Sequence, residues 1–583
     1  KIDIDGVVNA IKDNKIGGDV YFFSDAGIAV GANGVFNVGR LTLGTNTTYG
    51  EGLYNGGMES HLQKTAAEQA KAVAGGSDIS LNGKVYAQSD VVLGAGSVNV
   101  KGGEIRTHRN NADTYADKKA AEAYRNQLVK INTPSATVAT ALGHGDIALA
   151  AVGASSVAKP FETKGAIVID KAYMDAAGGD TSVIASAERN GGNLMGSKAD
   201  ASVEILNATT IQGQNVAISA ETKVSGKVGS ADAYKTGAEE DGILGLLHAT
   251  FDEQVGSLAS VVKTDADAQV TVKDSTLTAA KDLAISSKAE SEIGSETGGS
   301  LGVGINVGIA DVESKVDIQG TSALTAGEDM SLSAAGSNAI DLQRQGSAED
   351  LPIAIDLGWA EAKTDVSVTV AKDATLKAKE NVDVSAKAER NLSVEVENSS
   401  GDGTLGLAVG VIQSETKATA DVQGKVYANG KVSVSAENTV SDEGGKYDPD
   451  TLHITSKSES DDGTSSDPIH DIVDVATTKG KGNQLMVGIK KLWGDQSTKK
   501  KAADAGTSAA DQTASTSAGG GLGLNAATAF LFSDNSAKAS LAGEVRGYDG
   551  ASGASAVDVH AETLSRTKVK AGVSQGADKS AGI

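Results

Sequence analysis

The sequence predicts an all-β solenoid, a parallel β-helix with short helical excursions, and three observations carry that reading. The first is a repeat. Ile285-Ser286-Ser287-Lys288-Ala289-Glu290, Leu332-Ser333-Ala334, Val384-Ser385-Ala386-Lys387-Ala388-Glu389 and Val434-Ser435-Ala436-Glu437 follow one another at steps of 47, 52 and 50 residues. A fixed period of this length marks stacked units that bury a shared core between neighbours. The second is local alternation, as in Gln269-Val270-Thr271-Val272, Lys315-Val316-Asp317-Ile318 and Asp365-Val366-Ser367-Val368-Thr369-Val370, which sends successive side chains to opposite faces of a strand. The third is composition: 71 Gly, 5 Pro and 3% aromatic residues leave Val, Ile, Leu and Ala to fill a narrow, regular interior.

The elements follow in order. Lys1-Ile2-Asp3-Ile4-Asp5 opens on a strand pattern, so the chain reads as a mature or truncated product. Residues 51–150 read as β-helix interrupted by two stretches rich in Ala, Glu, Gln and Lys, near 56–75 and 111–130, which favour helix. Residues 151–440 hold the repeat. Its turns carry Lys-Asp, Asn-Gly and Gly-Glu-Asp, residues suited to tight geometry. Val270, Val272, Leu277, Leu283 and Ile285 are expected inside one block, Ile318, Leu324 and Leu332 in the next, and Val368, Val370, Leu376 and Val384 in the third. A coil of about 20–25 residues would place two coils in each block and about 18–24 in the chain, a rod on the order of 100 Å long. Residues 441–517 break the pattern as an insertion, whose removal over 446–515 would leave the rod folded, and 518–583 resume it at Gly519-Gly520-Gly521-Leu522-Gly523.

The net charge of −24 disfavours a nucleic-acid partner and an anionic membrane surface, both of which need a basic patch. No stretch approaches the roughly 20 apolar residues of a membrane helix, so no membrane insertion is expected. The absence of Cys suits an exported chain that crosses a periplasm unfolded.

Catalytic patterns are weak. Two Gly-x-Ser-x-Gly matches centre on Ser300 and Ser574. A nucleophile elbow needs a strand, a sharp turn and a helix, and the residues after Ser300 read as strand. The seven His do not pair at helical spacing, so they read as surface or turn residues and not as metal ligands. Neither a catalytic residue nor a cofactor is expected. Asp461, Asp462, Asp467 and Asp471 offer oxygen ligands for calcium, the bland reading being a solvated acidic loop. Gly at alternate positions, as in Leu301-Gly302-Val303-Gly304-Ile305, reads as a smooth face for close packing, with partner docking as the alternative.

Residues 19–45 carry a family resemblance. The run from Asp19 to Gly39 is similar to the end of the secretion domain of filamentous-haemagglutinin-like exoproteins of the two-partner secretion pathway, including leukotoxin-like filamentous adhesins. The family pattern is a strand, an Asn-Pro-Asn-Gly turn, an apolar strand and a Gly-Asn-Val-Gly-type turn. This chain keeps Gly27, Gly31, Gly34 and Asn37-Val38-Gly39 and departs at Ser24-Asp25-Ala26. On this resemblance Ser24, Asp25, Gly27, Gly31, Asn37 and Gly39 are the secretion-motif positions, in residues 1–50. The resemblance implies a right-handed β-helix, export through an outer-membrane partner of the Gram-negative type, and adhesion at the bacterial cell surface.

The expected function is therefore a secreted surface adhesin or structural fibre without catalysis, contacting a host or bacterial receptor or copies of itself. The alternatives are the stalk of a toxin or effector-delivery exoprotein and a β-helix enzyme acting on polysaccharide. Within the insertion, Leu485, Met486, Val487, Ile489, Leu492 and Trp493 form an apolar group expected either to fold back on the rod or to dock on a neighbouring molecule, with Trp493 as anchor.

Overall fold

The computed structural model describes residues 1–12, 15–16, 18–107, 145–156, 159–176, 178–190, 196–228, 259–299, 303–348, 353–400, 405–440, 452–460, 524–550, 553–564, 568–575 and 581–582. They form a right-handed parallel β-helix. The chain visits three sheets in turn: a first that begins with Ile2–Ile4, a second that begins with Val7–Asn9 and a third that begins with Asp19–Phe23. Each strand pairs in parallel with the strand one coil earlier and one coil later, the antiparallel exceptions being Ile11–Lys12 with Lys15–Ile16 and Ala154–Ser156 with part of Lys159–Asp170. The second sheet holds 11 strands, one for each coil, so the described stack rises by about 50 Å at a strand spacing of about 4.8 Å.

Alternation decides what faces inward. All the side chains expected inside, from Val270 and Val272 through Leu376 and Val384, are at most 1% exposed. They belong to one continuous apolar column running from Ile28 to Ala436. Apart from Phe36, Met174 and Met330 its members are small or branched aliphatic groups, because a three-sided coil leaves little width for anything larger.

The repeat unit differs from expectation. Ile285 pairs with Leu332, Leu332 with Val384 and Val384 with Val434, so one block of about 50 residues is one coil and not two. The reason is strand length. In the eighth and ninth coils the third-sheet strands Met330–Ala348 and Val382–Ser400 are each 19 residues long, and the first-sheet strand Ile353–Val370 is 18. At about 3.3 Å per residue each spans about 60 Å, so the middle coils are about as wide as the whole stack is long, and the thin rod is replaced by a slab. One half of each long strand lines the three-sided column. The other half projects as an arm in which the first and third sheets meet face to face, with a second core of Ile293, Ile340, Leu342, Leu392, Val394, Val396, Ala360 and Ile412. Small inward residues on one sheet admit large ones from the other. A Cβ on Gly358 would lie 2.7 Å from both Val394 and Val396, and one on Gly308 would crowd Ile340 and Leu342. Gly308 and Gly358 are thus close-packing positions, whereas of the alternate glycines read from the sequence Gly304 faces the Arg344 guanidinium and Gly302 lies outside the described residues.

The excursions are partly as expected. Thr47–Gly52, Met58–Leu62 and Ala66–Val73 are helices, the last opened by a Thr65/Glu68 capping box. The stretch near 111–130 lies outside the described residues. The segment 441–517 is not one insertion: Leu452–Ser460 is a strand of the third-sheet arm, in register with Leu392–Ser400 on one side and Lys568–Gln575 on the other. Deleting 446–515 would therefore remove a strand and not merely a loop.

A column of Asp and Asn marks the corner between the second and third sheets. Each side-chain oxygen accepts the backbone N–H of the equivalent residue one coil on. Asp90 accepts from Asp146 (3.0 Å), Asp146 from Asp180 (2.9 Å) and Asp180 from Asn215 (3.1 Å). Asn215 accepts from Asp282 (3.3 Å), Asp282 from Asp329 (3.2 Å), Asp329 from Asn381 (3.0 Å) and Asn381 from Lys431 (2.8 Å). These are the Lys-Asp, Asn and Glu-Asp turns of the sequence. Replacing Asp282 by Ala should loosen the Asp329 amide by about 1 kcal/mol, read as a roughly fivefold loss of hydrogen-exchange protection. Asp282→Asn, which keeps the acceptor, should restore most of it.

Candidate functional site

The residues expected to carry a secretion motif lie around the second coil, Asn37 within strand Val35–Val38 and the others at its corners. Ser24, Asp25 and Gly27 form the turn between third and first sheets. There the Gly27 N–H donates to the Ser24 carbonyl (3.1 Å), and Gly27 takes a φ of +90° that a side chain would strain. Gly31 stands at the next corner, its N–H donated to the Ile4 carbonyl (2.8 Å). Asn37 is 3% exposed and donates through Nδ2 to Asn9 Oδ1 (2.8 Å), while the Gly39 N–H donates to the Gly18 carbonyl (2.8 Å). These residues shape turns and tie the first two coils together. The structure does not bring them to one point.

A more concentrated polar group, missed by sequence reasoning, sits under the helical excursion. Helix Ala66–Val73 lies on the outer face of the third sheet, with Ala66, Ala70 and Val73 against Val92, Ala148 and Ala150. Gly94 permits the approach, since a Cβ there would meet the Ala70 carbonyl. On the same side His61 is fully buried, its ring edge-on to Tyr49 (5.8 Å) and Tyr21 (6.4 Å). The Tyr49 hydroxyl lies 3.2 Å from His61 Nδ1 and accepts a hydrogen bond from Lys64 Nζ at 3.3 Å. Burial, with Arg40 and Lys64 nearby, lowers the His61 pKa to about 4, so the ring is neutral at pH 7. The surface reading of this histidine is thereby corrected. Its helix folds back over the coil, and the two tyrosines exclude water from it. Beneath it Arg40 and Asp90 form a buried ion pair (3.1 Å), and Asp90 also accepts from the Gly145 and Asp146 amides.

Beside this group opens a cleft of about 460 Å3, lined by Asn46, Tyr49, Leu53, Ser60 and Lys64 among others. It offers an ammonium, hydroxyls, an amide and an aromatic face, a set that binds polar ligands. His61, neutral and enclosed, supports Tyr49 and does not itself reach the cleft lining.

A second feature runs along the arm. The outward row Val261, Val307, Trp359, Val411 and Phe530 is continuous from coil to coil. Its first four members are at most 9% exposed, and Phe530, on the last wide coil, is 46% exposed and stacked on Phe532 (6.5 Å). Ile305, Ile309, Leu357 and Val409 flank the row, partly buried.

The remaining candidates are quickly placed. Ser574 lies within strand Lys568–Gln575 and not on an elbow. Ser300 lies outside the described residues, and a strand resumes at Val303, so no helix follows. Leu485, Met486, Val487, Ile489, Leu492 and Trp493, together with Asp461, Asp462, Asp467 and Asp471, also lie outside them. Among the described residues no three His, Asp or Glu side chains converge as a metal would require.

No protein family, no curated protein and no solved structure matches this chain.

The depressed His61 pKa makes a pH prediction. Between the unfolded value near 6.5 and about 4 the unfolded chain binds more protons at this site than the folded one. The contribution of neutral His61 is complete above pH 6.5 and is lost as pH falls toward 4, up to about 3 kcal/mol. Exchange of the amides of residues 58–73, corrected for intrinsic rate, should rise over that window, and His61→Gln should flatten the rise.

Proposed function

We propose that this protein is a secreted bacterial surface protein of the filamentous-haemagglutinin-like kind, an adhesin or structural surface fibre without catalysis. Its partners would be an outer-membrane secretion pore, then a host or bacterial surface receptor or further copies of itself. One observation carries the reading. Among the described residues eleven coils in register are filled mainly with aliphatic side chains, so the fold spends its length on outer surface. Support also comes from the lack of Cys and from the Asp19–Gly39 resemblance, whose residues form the first turns of the stack. Phe530 and its stacked neighbour Phe532, both exposed at the end of the buried row through Trp359, add a small apolar surface suited to a protein partner. Calcium binding by the acidic run remains part of the proposal only as an accessory to such a surface.

The stalk of an effector-delivery exoprotein is the second reading, favoured by the same coil architecture. The two separate on a direct assay. Beads coated with the chain should adhere saturably to bacterial or host-cell surfaces, with free chain competing. No adhesion above that of beads bearing a protein of equal charge would contradict the adhesin. Ser574→Ala should leave adhesion unchanged, and a hydrolytic activity lost in that variant would contradict the non-catalytic reading.

A further inference from the structure

Three arginines are buried among the described residues: Arg40, Arg344 and Arg390, at 1%, 2% and 0% exposure. Two have a carboxylate. Arg40 Nη2 donates to Asp90 Oδ2 at 3.1 Å, and Arg344 Nε donates to Asp356 Oδ1 at 2.7 Å, with Asn398 Nδ2 donating to the other oxygen of Asp356. Room for Arg344 is built in, because a Cβ on Gly304 would overlap its guanidinium.

Arg390 is different. It points inward from strand Val382–Ser400, in phase with Val384, Ala386 and Ala388, at the seam between the column core and the arm core. That seam is polar along its length. Thr264 meets Ser291 (2.7 Å), Asn338 donates to Thr364 Oγ1 (2.8 Å), and Asn438 donates to the Thr416 carbonyl (3.2 Å). Arg390 Nη1 donates to two amide oxygens, Asn438 Oδ1 (3.1 Å) and Asn535 Oδ1 of the last wide coil. Its Nε and Nη2 are buried and have no hydrogen-bond partner. The charged groups beside it in sequence, Lys387 and Glu389, pair with each other (2.5 Å) on the outer face. Burial lowers the Arg390 pKa only to about 10, so it carries its charge at neutral pH. A charge this deep is strongly unfavourable unless an opposite charge or a full set of hydrogen bonds compensates it.

We propose that Arg390 holds a small inorganic monoanion, of the halide class, in the seam. The anion accepts from Nε–H and Nη2–H, the two donors left over, while Nη1 ties the ninth coil to the tenth through Asn438 and to the eleventh through Asn535. Asn535 is only partly buried, so the site is reached from the side of the last wide coil. A monatomic anion suits two adjacent N–H groups and a narrow interior. A bulky organic anion does not.

The test uses the full chain. Thermal unfolding is followed in sodium chloride and in sodium gluconate at equal ionic strength. The wild type should melt about 1–3 °C higher in chloride. Arg390→Met should lose that difference, and it should still fold, because a buried charge replaced by an apolar group of similar volume is commonly tolerated. Crystals grown in sodium bromide should show an anomalous peak in contact with Nε and Nη2 of Arg390. A wild-type difference that persists undiminished in Arg390→Met overturns the proposal. So does a bromide map with a well-ordered Arg390 and only water, or nothing, at its free donors.

Discussion

Everything in this fold hangs on register between neighbouring coils. Parallel strands are held by evenly spaced backbone hydrogen bonds, and a slip of one residue would turn every inward side chain outward. Two devices hold the register. One is the aliphatic column, which is continuous only if Ile285, Leu332, Val384 and Val434 stand over one another. The other is the Asp and Asn column at the corner, which clamps each coil to the next through a side-chain oxygen at a fixed residue. Asn alternates with Asp in places, at Asn215 and Asn381, which breaks up the repulsion of a purely anionic stack.

With register fixed, the coils are free to differ in width. The first coils have strands of three to five residues and the later ones strands of up to 19. The added length forms the arm, and the arm brings its own demands. Its sheets approach closely only because Gly308 and Gly358 face branched aliphatic side chains. The polar seam between the two cores lets small hydroxyls and amides satisfy one another across the sheets, as at Thr264 with Ser291 and Asn338 with Thr364. Seam and arm tip are also where buried charge collects.

Much of this was legible in the sequence, and the rest was hidden for identifiable reasons. The period, the parallel sheets and the inward residues followed from alternation and spacing. The number of coils per period did not, because polar inward residues such as Ser287, Ser291 and Asn338 look like strand breaks in a linear reading. They sit in the middle of long strands, where the Ser287 and Ser291 hydroxyls and the Asn338 Nδ2 find partners on the opposite sheet. The same blind spot covered Leu452–Ser460, whose Ser-rich sequence sustains no apolar alternation but pairs with Leu392–Ser400 along its whole length. Parity offered a signal for Arg390, which keeps step with Val384, Ala386 and Ala388. The His61 group had none, since Tyr21, Arg40, Tyr49 and Asp90 converge on it only through the stacking of coils and the fold-back of the excursion.

The central claim, one coil for each period of about 50 residues, can be tested by cross-linking, because the chain has no Cys to interfere. Lys288 and Ala335 are register partners on the outer face of the third sheet. With Cys at both, neighbouring strands about 4.8 Å apart fall within the Cα range of about 4.4–6.8 Å that a disulfide accepts. The account predicts that the Lys288→Cys/Ala335→Cys chain forms an intramolecular disulfide on mild oxidation. If each period held two coils, the two sites would be about 10 Å apart and no disulfide would form, and that result would contradict the account.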